Sequence, residues 1–361
     1  MKILFLPQNI ASMPAITAAS LNKNKNITAN CITQSLSKYQ QKNEHVILIP
    51  KEISKYKPIR WLYSGWKFRR ELKKWIKWAD VLHYTWGTAF RNGGDLKLAK
   101  SENKPIFIEW VGSDLRNPDY LKTINSYYKF AFENGYEYAH IESKANSLKN
   151  QKLFAKYGAI PLLSPEMNLF ADKLLFKNTH LLYQRVDVKE FSPSYPALNN
   201  NKPLIIHSPT AKICKGSNII ISTIEELKKQ FNFDFMLLND ISREKVLGIM
   251  KNADIFIDQI ILGSYGMAAM EAMAFGKPVM CYIMPQVFEG GLSQECPIVN
   301  TNPDNLKEQL IKLITNRQLR HDIGIKSRAF AEKFHDVEKI SGQLLAIYKL
   351  ELEKMHNAEI S

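Results

Sequence analysis

Short apolar runs recur along the chain between stretches with helical spacing, at Lys2 to Leu6, His45 to Pro50, Asp80 to Tyr84 and Pro105 to Trp110, and again at Leu204 to His207, Asp234 to Leu238, Asp254 to Ile257 and Lys277 to Tyr282. Such runs read as strands buried on both faces. Their alternation with amphipathic helices predicts parallel α/β sheets with crossover helices. Pro118 through about Phe154 carries helical spacing without a strong strand. Helices are also predicted over Ile219 to Gln230, Ser242 to Asn252, Met267 to Phe275, Pro303 to Thr315 and Val337 to Met355, with Asn302-Pro303 as an N-cap followed by proline. The alternation breaks once. Between Tyr183 and Lys202 periodicity is lost and Pro193, Pro196 and Asn199 to Asn201 gather, which is linker chemistry. The expected organisation is residues 1–190 as a first domain, 191–340 as a second, and 341–361 as a terminal helix packing back on the first.

A length of 361 residues fits two domains at about 150 residues each, and 45% hydrophobic with 23% charged residues excludes a collagenous or largely disordered chain. Lys and Arg number 49 against 35 acids, a net charge of +14 that calls for an anionic partner: nucleic acid, an acidic membrane face or a phosphorylated small molecule. The four cysteines have no CxxC pair, so neither a zinc module nor a disulfide framework is supported. The apolar start at Met1 to Pro7 is too short for a signal or spanning segment, and a cytoplasmic protein with at most peripheral attachment to the inner face of the cell membrane is expected.

The richest stretch is Asp254 to Tyr282: a buried strand, a loop with Gly263 and Gly266, a helix from Met267, Gly276 as a stop, and a second strand. A glycine loop feeding a helix N-terminus presents unpaired amides and the positive end of the helix dipole, which suits a phosphate. It is equally an ordinary tight connection in a doubly wound sheet. Glu271, one turn inside the helix, could accept hydrogen bonds from ribose hydroxyls. Its small apolar neighbours Met270, Ala272, Met273 and Ala274 bury it, so it needs donors.

Gly266, Glu271-Ala272-Met273-Ala274, Gly276 and Pro278-Val279 resemble the signature of the GT-B fold retaining glycosyltransferases (glycosyl transferases group 1, family 4-like). In that signature the first Glu, on the donor sugar, falls on Gly263, the next Gly falls on Ser264, and Tyr265 replaces Phe. Lys215-Gly216 resembles the family's Lys-Gly at a strand-to-helix loop, with Lys212 as a further positive charge where the usual Arg is Thr210. Val186-Asp187, Phe191 and Pro193 resemble its interdomain crossover. Ala79 to His83 and Trp110 to Asp114 resemble its N-terminal strand-end motifs.

The resemblance implies two Rossmann-like doubly wound domains facing across a cleft. The donor, a UDP- or GDP-sugar, would be held by Lys212, Lys215, Gly216, Gly263, Ser264, Tyr265, Gly266, Met267 and Glu271. Lys215, Asp114 and His83 would be the catalytic candidates, with retention and no enzyme nucleophile. The chain contains no Asp-x-Asp pair, so no metal or other cofactor is expected. The implied acceptor is a cell-surface glycan, lipopolysaccharide or glycolipid. The alternative is a relative that has lost catalysis and binds a glycan or nucleotide-sugar as a scaffold. His83 and His207 read as well as core histidines, Asp114 as a cap, and Cys214 as a small filler.

The charge has a local focus. Lys55, Lys57, Arg60, Lys67, Arg69, Arg70, Lys73, Lys74 and Lys77 interleave with Trp61, Tyr63, Trp66, Trp75 and Trp78 against the single acid Glu71. On a helix, Trp61, Gly65, Phe68, Leu72, Trp75 and Ala79 share one face. This is the pattern of a helix lying on an anionic membrane surface. It is also that of a core helix with a solvated basic face. No nucleic-acid signature accompanies the charge, so nucleic acid is not expected as a partner.

Overall fold

A computed structural model describes residues 1–34, 44–49 and 58–360. The chain forms two compact units. The first comprises Met1–Leu115, Ala145–Tyr183 and Val337–Ser361, and the second Arg116–Lys144 and Gln184–Asp336. The sequence placed 116–144 and 184–190 in the first domain, whereas the structure assigns both to the second unit.

The elements run β1 (Lys2–Leu6), α1 (Met13–Leu21), β2 (Thr28–Thr33), β3 (Val46–Leu48), α2 (Pro58–Trp78), β4 (Val81–Thr85), α3 (Gly94–Ser101), β5 (Ile106–Trp110), α4 (Pro118–Ile124), α5 (Ser126–Glu133), α6 (Lys144–Lys156), β6 (Ile160–Leu163) and β7 (His180–Leu181). They continue β8 (Leu204–His207), α7 (Lys212–Lys215), α8 (Ser217–Leu227), β9 (Asp234–Leu237), α9 (Arg243–Met250), β10 (Ile255–Ile257), α10 (Met267–Ala274), β11 (Val279–Cys281), α11 (Pro285–Glu289), β12 (Val299–Asn300), α12 (Leu306–Thr315), α13 (Arg317–Phe330) and α14 (Val337–Ile360).

In the first unit seven parallel strands lie in the order β3-β2-β1-β4-β5-β6-β7. The central strands are continuous apolar runs because helices cover both faces, and Ile3 to Leu6 have no exposed surface. Helix α14 completes this unit against α1. Its Leu344 and Tyr348 are fully buried, and Glu338 pairs with Lys23 at 2.5 Å on the surface.

In the second unit five parallel strands lie in the order β12-β11-β10-β8-β9. Ile205, Ile220, Ile224, Leu227, Ile255, Ile257 and Leu310 fill its core. The excursion 116–144 belongs here through a buried polar network: Arg116 reaches Glu142 at 2.6 Å, and the Tyr128 and Tyr136 hydroxyls donate to the same carboxylate at 2.7 and 3.0 Å. Asn125 donates to the Ile261 carbonyl at 2.9 Å. The uninterrupted helical stretch expected from Pro118 is therefore three helices. Asn125 stops α4 and caps α5 by accepting from the Tyr128 amide, and Gly135 turns the chain at φ +95°. Asn302-Pro303 is not the cap of α12 but the turn before it, with the Asn302 side chain accepting from the Asp304 and Asn305 amides.

Candidate functional site

In an open parallel sheet, ligands bind beyond the carboxyl ends of strands where the strand order reverses, because the loops there diverge and leave a crevice. In the second unit that point lies between β8, which continues to α7, and β10, which continues to β11. The two loops it selects are those that carry Lys215-Gly216 and Asp258 to Gly266.

Gly216 adopts φ +75°, and a Cβ there would lie 2.6 Å from Ile260 Cγ1. A residue without a side chain is required for α7 to approach the β10 loop, and the Lys215 carbonyl accepts from the Ile260 amide at 3.2 Å. The approach delivers the Lys215 amine to the Asp258 carboxylate, Nζ to Oδ1 2.6 Å, while Gly266 donates its amide to Oδ2 at 3.1 Å. The Asp258 side chain is fully buried and that of Lys215 is 13% exposed. Burial disfavours the ammonium, yet the charge and hydrogen bond of Asp258 outweigh it and hold the Lys215 pKa above its ordinary value. Lys212, at the start of α7, is exposed. Asp258 was not among the residues singled out from the sequence. It follows an apolar strand, where one acid carries no periodic signal.

Gly263 sits at φ +92°, and any Cβ would overlap Met284 Cγ and lie 2.7 Å from its Sδ. Met284 is wholly buried and occupies the space that the side chain of a signature Glu would need. Ser264 is buried, and its carbonyl accepts from the Gln259 amide group. Tyr265 turns its hydroxyl to His335 Nε2 at 3.0 Å. Met267 opens α10, whose N-cap Gly266 makes no side-chain cap.

Glu271 has found its donors: Oε1 accepts from Arg243 Nε at 2.9 Å and Nη2 at 2.6 Å. Burial raises its pKa and the guanidinium opposes that shift. Nothing at Arg243 distinguishes it in sequence from a solvated residue in the first turn of a helix.

Two catalytic candidates are corrected. His83 has no exposed surface, and both its ring nitrogens are engaged, Nδ1 with the Tyr348 hydroxyl at 2.5 Å and Nε2 with Glu109 at 3.1 Å. It locks α14 to the sheet and offers a substrate no atom. Asp114 folds back on its own loop, Oδ1 accepting from the Gly112 amide at 2.7 Å and both oxygens from Val111 at 3.1 Å, so it is a turn-holding residue. His207 is a core histidine whose ring nitrogens contact the Ile257 carbonyl and Ser217 Oγ, each at 2.9 Å; burial pushes its pKa down to about 4.

On α2 the buried stripe is Phe68, Leu72 and Ile76, continued by Ala79 just past its end, which accounts for part of the expected apolar face as ordinary core. The first turns differ, because Leu62 and Tyr63 are each 62% exposed and Trp66 54%. Tyr63 stacks with Trp66, and Arg70 lies over the Trp66 ring at 5.2 Å. Lys67, Arg69, Arg70, Lys73, Lys74 and Lys77 are exposed, with Lys74 paired to Glu71 and Lys77 to Glu102. Lys55 and Lys57 lie outside the described residues.

Two parallel α/β sheets of seven and five strands, with a lysine and a glycine-fed helix at the reversal point of the second, define the GT-B fold class. Residues 221–330 match the family model of glycosyl transferases group 1. It is 27% identical over 149 residues to an uncharacterized glycosyltransferase, MJ1178, of Methanocaldococcus jannaschii, a match covering 33% of this chain and 40% of that protein's length. The fold is shared with sucrose-phosphate synthase from Thermosynechococcus elongatus, with TM-score 0.63 and 13% identity over 98% of this chain and 100% of that one. It is also shared with Anabaena HepE, solved in complex with UDP-glucose, with TM-score 0.53 and 14% identity over 97% of this chain and 99% of that one.

Proposed function

We propose that the protein is a retaining, metal-independent glycosyltransferase that moves a sugar from a nucleotide-sugar to a cell-surface glycan, lipopolysaccharide or glycolipid acceptor. The observation that carries this reading is the meeting of the Lys215 amine and the Gly266 amide at the reversal point of the five-stranded sheet, beside the group 1 match. As the bond from sugar to diphosphate breaks, negative charge grows on the diphosphate oxygens. A buried ammonium and the amides entering α10 would be the donors to that charge. Glu271, oriented by Arg243, would accept from the ribose hydroxyls. With no enzyme nucleophile assigned, the acceptor hydroxyl attacks the face that the diphosphate leaves. UDP-sugars head the donor list because HepE, which shares the fold, is solved with UDP-glucose.

A thermal-shift screen against UDP-, GDP-, ADP- and CMP-sugars tests the reading. A ligand at a hundred times its Kd stabilises the folded state by about 2.7 kcal/mol, enough to raise Tm by several degrees. A flat response to all four classes would reject it. Nucleotide binding without donor hydrolysis or transfer would favour the scaffold alternative.

The acceptor reading draws on the first turns of α2, which would lie on the cytoplasmic face of an anionic membrane. Near such a surface each Lys or Arg contributes about 1 kcal/mol, and tryptophan suits the headgroup boundary. Wild-type protein is expected to float with vesicles containing phosphatidylserine or phosphatidylglycerol and to be released by salt. A variant with Arg69, Arg70, Lys73 and Lys74 changed to Ser should stay in the soluble fraction. Equal flotation by both, or by neither, would return α2 to a core helix with a solvated basic face.

A further inference from the structure

Both groups assigned to the diphosphate already donate to a carboxylate of the chain itself. Asp258 Oδ1 holds the Lys215 amine at 2.6 Å and Oδ2 holds the Gly266 amide at 3.1 Å. Gly263 cannot bring an acid to this loop, since Met284 fills the space beside it. The approach to Gly266 is open, because a Cβ there would meet nothing nearer than Asp258 Oδ2 at 4.0 Å. An anion arriving at this edge therefore meets an ammonium whose charge is already balanced.

Resting on the nucleotide-sugar reading, we infer that Asp258 is a positioning residue that exchanges with the donor diphosphate. It holds Lys215 and the α10 entrance in place between turnovers, yields them as the diphosphate binds, and reclaims them to expel the nucleoside diphosphate product. The exchange has a cost at each end: the buried Asp258 carboxylate loses both partners when the diphosphate binds, which is what weakens nucleotide binding. Without Asp258, Lys215 would stand unpaired at low exposure between turnovers, a state that burial penalises heavily. With Asp258 competing for the same donors, the departing diphosphate is replaced by a carboxylate rather than leaving a bare charge. The device weakens every nucleotide-bound state by the same competition, and its gain is faster release of the nucleoside diphosphate product.

The test compares wild type with Asp258→Asn and Asp258→Ser, measuring UDP and GDP affinity by calorimetry, their dissociation by stopped flow, and steady-state transfer. The neutral variants should bind the nucleoside diphosphate about tenfold more tightly and release it correspondingly more slowly, because the carboxylate no longer competes for Lys215 and the Gly266 amide. Their KM for the donor should fall and kcat/KM rise, because the competitor is removed from the free enzyme, while kcat falls through the slower product release. A merely structural Asp258 would instead give weaker nucleotide binding, higher KM and lower kcat/KM, and that result overturns the inference. Wild-type protein labelled with ¹⁵N-glycine supplies a reading that needs no variant: UDP should shift the Gly266 amide resonance as its acceptor changes. UDP binding that leaves this resonance in place also overturns the exchange. Wild type that binds neither UDP nor GDP overturns the nucleotide-sugar reading itself, and the exchange with it.

Discussion

Replacing Lys215 by Ala is expected to lower sugar transfer by about 100- to 1,000-fold, the loss typical when one preorganised donor is removed from a site of developing negative charge. The same substitution strands Asp258, whose buried carboxylate keeps, among the described residues, only the Gly266 amide. Breaking a buried pair by removing one partner costs about 3–5 kcal/mol, so the single variant should also unfold at lower temperature. The two effects separate in the double variant Lys215→Met/Asp258→Asn. Neither new side chain carries charge, and the methionine retains most of the lysine stem's volume. Thermal stability should return close to wild type while transfer stays low. If the double variant recovers both, Lys215 is a fold residue and not a donor to the leaving group. Wild-type turnover in Lys215→Ala would dismiss the assignment outright.

The fold was legible because its strands are continuous apolar runs: all eight segments read as strands contain one. Four strands escaped: β6 is a four-residue apolar run, Ile-Pro-Leu-Leu, whose Pro161 argues against a central strand, and the other three lack the signal. β2 reads Thr-Ala-Asn-Cys-Ile-Thr and is held by its place between β1 and β3, while β7 and β12 have two residues each. The return of 116–144 to the second unit rests on contacts distant in sequence, such as Asn125 with Ile261, that no local pattern encodes.

The site divides along the same line. Lys215-Gly216 and the glycine loop before α10 carry a motif because backbone geometry demands particular residues there. Gly216 must admit Ile260, for example. Asp258 and Arg243 carry none. Asp258 matters through Lys215 and the Gly266 amide and Arg243 through Glu271, and a lone charged residue in sequence does not announce its partners. His83 and Asp114 show the converse error. A motif at a strand end marks the right neighbourhood, but the side chains are spent on Tyr348, Glu109 and the residues' own loop amides.

Restoring the signature acid with Gly263→Glu is expected to damage the protein rather than improve it. At φ +92° a side chain costs about 1–2 kcal/mol in backbone strain alone. The new Cβ would also overlap Met284, and overpacking a filled interior adds about 1–3 kcal/mol. Gly263→Ala should therefore lose roughly 2–5 kcal/mol by denaturant unfolding, and Gly263→Glu at least as much, with its carboxylate forced toward a buried sulfur. Met284→Ala destabilises by itself through the cavity it leaves, about 2–5 kcal/mol. Combined with Gly263→Ala it should cost less than the sum of the two, because the alanine Cβ enters space the methionine has vacated. Strict additivity would show that the two positions do not share that space. A Gly263→Glu variant as stable as wild type and faster in transfer would mean that the loop still accommodates the signature acid, and that Met284 yields to it.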